Sequence, residues 1–165
     1  KPRLKDFEPN TWLLYKLGKL FSAGDYALAK LKWNETTRKM GILGEKYDAL
    51  LTPTLGMKPF KIGSLQNSKV EDIALRTLNA LGATAIIKNS GIIEKTATKL
   101  FSWIPYAPLA NITGQPSMTV PLHWSKENLP VGVMFTGRLN DEATLFRLAA
   151  QLEKAQPWFD KVPAI

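Results

Sequence analysis

The chain predicts an α/β fold, a mixed sheet covered by helices. Three observations carry this. Leu145, Leu148, Ala149 and Leu152 form an apolar stripe at helical spacing. Ser117–Leu122 and Val131–Phe135 read as two strands joined by a short polar connector, hence as antiparallel neighbours. "YDALL", residues 47–51, is a short apolar run stopped by "TPT" and reads as a buried strand.

Taken in order, residues 1–10 are a Pro-punctuated extended lead. "TWLLYKLGKL", residues 11–20, is a short apolar helix broken near Gly18. Ser22 is an N-cap whose contact Asp25 returns, and the helix it starts spans 23–39. Tyr26, Ala29, Trp33 and Thr37 share one of its faces, with lysines on the other, and "MGILGEK" ends it. The stretch after "TPT" is a Gly-, Pro- and Lys-rich loop. Glu71 and Asp72 open a helix to Leu81, and Gly82 suits the position after it. "ATAIIKNSGII" fits either regular structure; residues 92–103 read as a helix. A helix over 107–112 ends at Gly114, free to take positive φ, and Pro116 fits just ahead of a strand. Asn140 or Asp141 caps the last helix, which "QPW" stops. Residues 1–46 form a mostly helical lead into the sheet strands and helices of 47–165, all one α/β segment.

Composition narrows the function. The 165 residues are 45% hydrophobic and 22% charged, as in an ordinary globular protein. No apolar run reaches membrane-spanning length, so no membrane partner is expected. The opening "KPRLKDFEPN" is charged and lacks a leader's apolar region, and Lys1 stands where an initiator Met would. A piece of a longer, cytoplasmic protein is expected. There is no cysteine and one histidine, His123, so neither a metal site nor a cofactor is indicated. The net charge of +8 is concentrated before residue 50. It reads as a solvated helical face, with lysines not interleaved with exposed aromatics, so nucleic acid is not an expected partner.

The residues show no catalytic constellation. Ser64 and Ser90 lack a G-x-S-x-G elbow and read as turn and cap residues. His123 has no partner selected by the sequence. Asp141-Glu142 and Glu71-Asp72 are first-turn charges, because adjacent helical residues do not face each other. Asn34-Glu-Thr36 and Asn111-Ile-Thr113 match glycosylation acceptors with no leader to support them.

"YDALLTPT", "PLANITGQPSMTVPL" and "LPVGVMFTGRLNDEATLFRLAAQLEKAQPW", in this order and spacing, resemble the C-terminal part of the amidase signature family. The resemblance extends through "SAGDYALAKLKWNETTRKMGILGEKYDALLTPTLGMKPFKIG" to nearly the whole chain. It is nearest to bacterial amidases of the 6-aminohexanoate-cyclic-dimer hydrolase kind. It implies amide hydrolysis by a serine, a cis-peptide serine and a lysine, all in an N-terminal half that this sequence does not contain. It therefore places no catalytic residue here. The parent is expected to act on a small-molecule linear or cyclic amide, and this piece alone to be inactive. Trp103, Ile104 and Tyr106 fall where the family forms its acyl pocket, and an apolar substrate is implied because related amidotransferases carry an acid there. Asn111 and Gln115 either hold the turn through their amides or back the cavity. The other reading is a non-catalytic assembly module resembling part of a tRNA-dependent amidotransferase. A piece without its other half exposes apolar surface, so a homodimer is expected.

Overall fold

The computed structural model describes residues 3–64, 66–81 and 91–162. Gly82, Ser90 and most of "ATAIIKNSGII" lie outside them. The chain forms two compact units, Lys1–Ala29 with Pro59–Phe101, and Lys30–Lys58 with Ser102–Ile165.

The first unit is helical. Its lead is not extended as expected: Leu4–Asp6 makes a 3₁₀ turn, and helix α1 spans Pro9–Gly18. Pro9 starts it early because a proline's missing N–H costs nothing in a first turn. Trp12 and Leu17 are buried, and the Trp12 ring lies 5.9 Å from Phe7 and 5.1 Å from Tyr15. Helix α3, Lys69–Leu81, packs against α1. Its start is a capping box: Ser68 N–H donates to Glu71 Oε2 at 2.7 Å, and Glu71 N–H to Ser68 Oγ at 3.2 Å. Helix α4 spans Ile92–Trp103.

Helix α2, Ala23–Lys46, opens on the expected Ser22–Asp25 pair, with Asp25 N–H donating to Ser22 Oγ at 3.1 Å. It runs seven residues past the expected end at Lys39, through Gly41 and Gly44. Each internal glycine costs only about 1 kcal/mol, and tertiary contacts offset it. Met40 and Leu43 close a cavity of about 10 Å³ with Leu50 and Thr136. Arg138 Nε donates to the Gly44 carbonyl at 2.7 Å, and its Nη2 meets Asp48 Oδ1 at 2.7 Å. The lysines also depart from expectation. Lys16, Lys19, Lys30 and Lys46 lie 4.7–5.6 Å over the rings of Trp12, Tyr15, Trp33 and Tyr47. One helical turn brings the first three pairs together, whereas Lys46 and Tyr47 are neighbours in sequence.

The second unit holds an antiparallel sheet of order β1-β3-β2, with β1 Ala49–Pro53, β2 Ser117–Trp124 and β3 Pro130–Gly137. The pairing of β2 with β3 is the expected one. Strand β1 sits two residues later than expected, and it is an edge rather than buried: Leu51 is 60% exposed. Thr54 N–H donates to the Gly132 carbonyl at 3.1 Å. Antiparallel alternation then turns the backbone groups of Leu50 and Thr52 toward β3, and those of Ala49, Leu51 and Pro53 outward. Pro53, which has no N–H, thus costs the ladder nothing. The outer edge of β2 is blunted. Pro121 lacks a donor, the register shifts between Val120 and His123, and Gln156 Nε2 donates to the Leu122 carbonyl at 2.9 Å.

One sheet face is apolar. Val120, Phe135 and Leu145 form its buried centre, with Met118, Val133, Leu148 and Leu152 around them. Leu145, Leu148 and Leu152 belong to helix α6, Glu142–Ala155, which packs on β2 and β3. Asp141 caps α6, accepting from Thr144 Oγ1 at 2.8 Å and Thr144 N–H at 3.3 Å. These bonds, the hydroxyl's first, hold its carboxyl below its ordinary value of 3.8. A depressed carboxylate stabilises the fold above its unfolded value, and that contribution is lost as pH falls through the folded one. Asp141→Asn, which keeps a capping amide, is expected to flatten the fall of the urea midpoint below about pH 4.

Candidate functional site

The site is built in the second unit, where β1 ends. Chain leaving Pro53 crosses Thr54 and reaches Gly56, whose N–H donates to the Trp103 carbonyl at 2.9 Å. This bond clamps the stretch between α4 and helix α5, Ala107–Thr113. A Cβ on Gly56 would strike the Ser102 carbonyl oxygen and come within 3.0 Å of Pro105 Cδ. Only glycine lets the two stretches meet so closely. Trp103 and Ile104 are half-buried and Tyr106 is 39% exposed, so the clamped stretch leaves part of its aromatic and aliphatic surface open.

The turn after this stretch is tightly held. Gly114 takes φ +73° and donates to the Ala110 carbonyl at 2.9 Å, as its sequence position predicts. Gln115 Nε2 donates to the Gly137 carbonyl at 2.6 Å, and Gly137 N–H to the Pro116 carbonyl at 2.9 Å. Gln115 Oε1 is buried with no partner among the described residues. Gln115 also borders an open cleft of about 490 Å³ beside Thr37, Glu45 and Arg138. Asn111 is exposed on α5. Of the five expected substrate residues, Trp103, Ile104 and Tyr106 lie together in the chain at the end of α4. Gln115 faces a different cleft, which none of the other four lines.

The sheet face opposite α6 carries hydroxyls. The register puts Thr52 and Thr54 of the β1 side, Thr136 of β3, and Ser117 and Thr119 of β2 on it. Thr54 Oγ1 donates to Thr119 Oγ1 at 3.2 Å. Gly132 lies beneath them: a Cβ there would come within 2.7 Å of both Thr119 Cγ2 and Thr54 Oγ1. Sequence reasoning missed Thr54, Gly56, Thr119 and Gly132. A glycine inside the strand pattern "PVGVMF" was the available signal, since it marks a close approach.

The other candidates stay structural. Ser64 is in a turn, its N–H donating to the Lys61 carbonyl at 3.0 Å, and His123 is exposed opposite Val131. Among the described residues no hydrogen bond joins either to a catalytic partner, and no group of three carboxylates or histidines forms. Glu71 serves its capping box, and Asp72 accepts from Asn67 Nδ2 at 3.1 Å.

Comparison with known proteins places this architecture. The amidase family model matches residues 9–146, and the chain belongs to the amidase family. It is 31% identical over 160 residues to AmiB2 of Mycobacterium tuberculosis, which carries an amidase name; the match covers 96% of this chain and 29% of that protein. The structure of 6-aminohexanoate cyclic dimer hydrolase superposes with a TM-score of 0.75 at 25% identity, over 98% of this chain and 30% of the hydrolase. The glutamyl-tRNA(Gln) amidotransferase structure from Thermotoga maritima, at 24% identity and a TM-score of 0.54, shares the fold over 82% of this chain and 24% of its own. The chain thus spans under a third of the length of these relatives and carries the α/β architecture of the amidase signature fold.

Proposed function

We propose that the chain is the C-terminal part of a serine amidase that hydrolyses linear or cyclic amides. The serine, cis-serine and lysine triad lies outside it, in the N-terminal half. This chain, a single α/β segment led by the helices of 1–46, supplies scaffold and one wall of the substrate pocket. Trp103, Ile104 and Tyr106 form the wall; Asn111 and Gln115 belong to the helix and turn that follow it, Gln115 bordering the separate cleft beside Thr37. The observation that carries the reading is the Gly56–Trp103 clamp, which fixes a half-open apolar surface at the end of a sheet strand. Pockets for small molecules are mostly apolar, with a few placed polar groups. Tyr106 and Trp103 suit an apolar amide; the structural relative is named for 6-aminohexanoate cyclic dimer. Its partners are that amide and the N-terminal half; alone, the chain is expected to pair with a second copy. The parent is placed in the cytoplasm; no described helix is long and apolar enough to cross a membrane.

The test is kinetic. In the intact parent enzyme, Trp103→Ala and Tyr106→Ala are each expected to raise KM for apolar amides about tenfold while kcat changes less, the mark of lost binding shared by ground and transition states. Unchanged KM in both variants removes the wall from the pocket. The 165-residue chain alone is expected to release no amine from any of these amides.

A further inference from the structure

We propose that Thr54 and Thr119 form a hydrogen-bonding pair for the substrate, with Thr119 donating to a carbonyl oxygen remote from the bond that is cut. This rests on the reading of Trp103–Tyr106 as the pocket wall and adds a polar group to it. The hydroxyls on this face fall into two groups. Thr52 and Thr136 are 7% and 2% exposed, so they are closed off inside the unit. Thr119 is exposed and Thr54 half-buried. The two hydroxyls share one hydrogen bond at 3.2 Å, and the exposed Thr119 can turn its own proton outward when Thr54 donates. The Thr119 proton has no acceptor among the described residues, so the pair offers one directed O–H outward. A hydroxyl that itself accepts a hydrogen bond is a better donor, because the two bonds polarise each other.

Two glycines make the arrangement. Gly132 leaves the space in which the two threonines meet, and any Cβ there would close it. Gly56, two residues beyond Thr54, joins the same stretch of chain to the wall at Trp103. Thr54 thus contacts Thr119, and two residues further along the chain Gly56 bonds the Trp103 backbone. Stability does not call for this. A hydrogen bond between exposed hydroxyls contributes little against water, and valine or isoleucine is the better strand residue where only packing counts. An apolar wall with one placed donor beside it fits an amide that carries a second carbonyl.

The experiment compares matched substrates in the intact parent enzyme. N-acetyl-6-aminohexanamide has a second amide carbonyl; nonanamide has the same chain length without it. Thr119→Val and Thr54→Val preserve shape and branching. Thr119→Val is expected to raise KM about tenfold for the diamide, the size of one hydrogen bond, and to leave nonanamide unchanged. Thr54→Val is expected to do the same more weakly. The urea midpoint of each variant is expected to match that of the parent. If both substrates keep their KM in Thr119→Val while Trp103→Ala still raises it, the pair is overturned and the wall stands. If Trp103→Ala also has no effect, the wall reading fails first. An equal change with both substrates, or a lowered urea midpoint, makes the pair structural and overturns the proposal, as does a parent enzyme that hydrolyses neither amide.

Discussion

Gly56→Ala is expected to destabilise the second unit by about 2–3 kcal/mol, the cost of forcing extra volume where the surroundings cannot yield. The obstacle is backbone: the new methyl would strike the Ser102 carbonyl, and Pro105 Cδ and Cγ stand within 3.0 and 3.1 Å. A flexible side chain would move aside; a carbonyl and a proline ring do not. Relief requires the loop to lift, which breaks the bond from Gly56 N–H to the Trp103 carbonyl. The urea midpoint reads the stability loss. Gly41→Ala serves as the contrast. Gly41 is inside α2, and nothing lies within 4 Å of its added Cβ, so helix propensity is expected to raise stability by about 0.5–1 kcal/mol. Equal effects at the two positions would show that the close approach at Gly56 does not exist.

Leu145→Ala is expected to cost about 3 kcal/mol and to lower the urea midpoint by about 1–2 M. Leu145 is 4% exposed and sits between Val120 and Phe135. It also covers Gly137, where a Cβ would come within 3.2 Å of Leu145 Cγ. Truncation leaves a cavity on the sheet rather than at the rim of α6, so little collapse can fill it. Phe146, its neighbour in sequence, is 75% exposed, and Phe146→Ala is expected to change the midpoint far less. Comparable losses at both positions would mean that α6 is rotated from the orientation described here.

The contrast between Leu145 and Phe146 shows what a sequence reveals. The stripe through Leu145, Leu148 and Leu152 identified the buried face of α6, because helical periodicity is a local property. Gly114, Pro116 and the Ser22–Asp25 cap were legible for the same reason: each acts within a few residues of itself. The end of α2 was not legible. Local chemistry says that Gly41 and Gly44 stop a helix, and it continues because of Arg138, 94 residues away from Gly44. The candidate site follows the same rule. The run Trp103–Tyr106 is an expectation drawn from family resemblance, whereas the Thr54–Thr119 contact spans 65 residues and depends on which strands become neighbours. Side-chain chemistry in a sequence does not encode that adjacency; the register of β3 between two partners does.

The two borders of the sheet give the isolated chain a handedness of adhesion. Along β1 the N–H groups of Ala49 and Leu51 face outward, Pro53 offers none, and no charged residue falls within the strand. Along β2 the proline, the register shift and the Gln156 contact refuse a neighbour. A molecule sticky on one border only can join a second copy about a twofold axis, and the new pair then shows the world two unreceptive borders. Self-association of that kind stops at two, and sedimentation of the isolated chain is expected to show pairs rather than fibres.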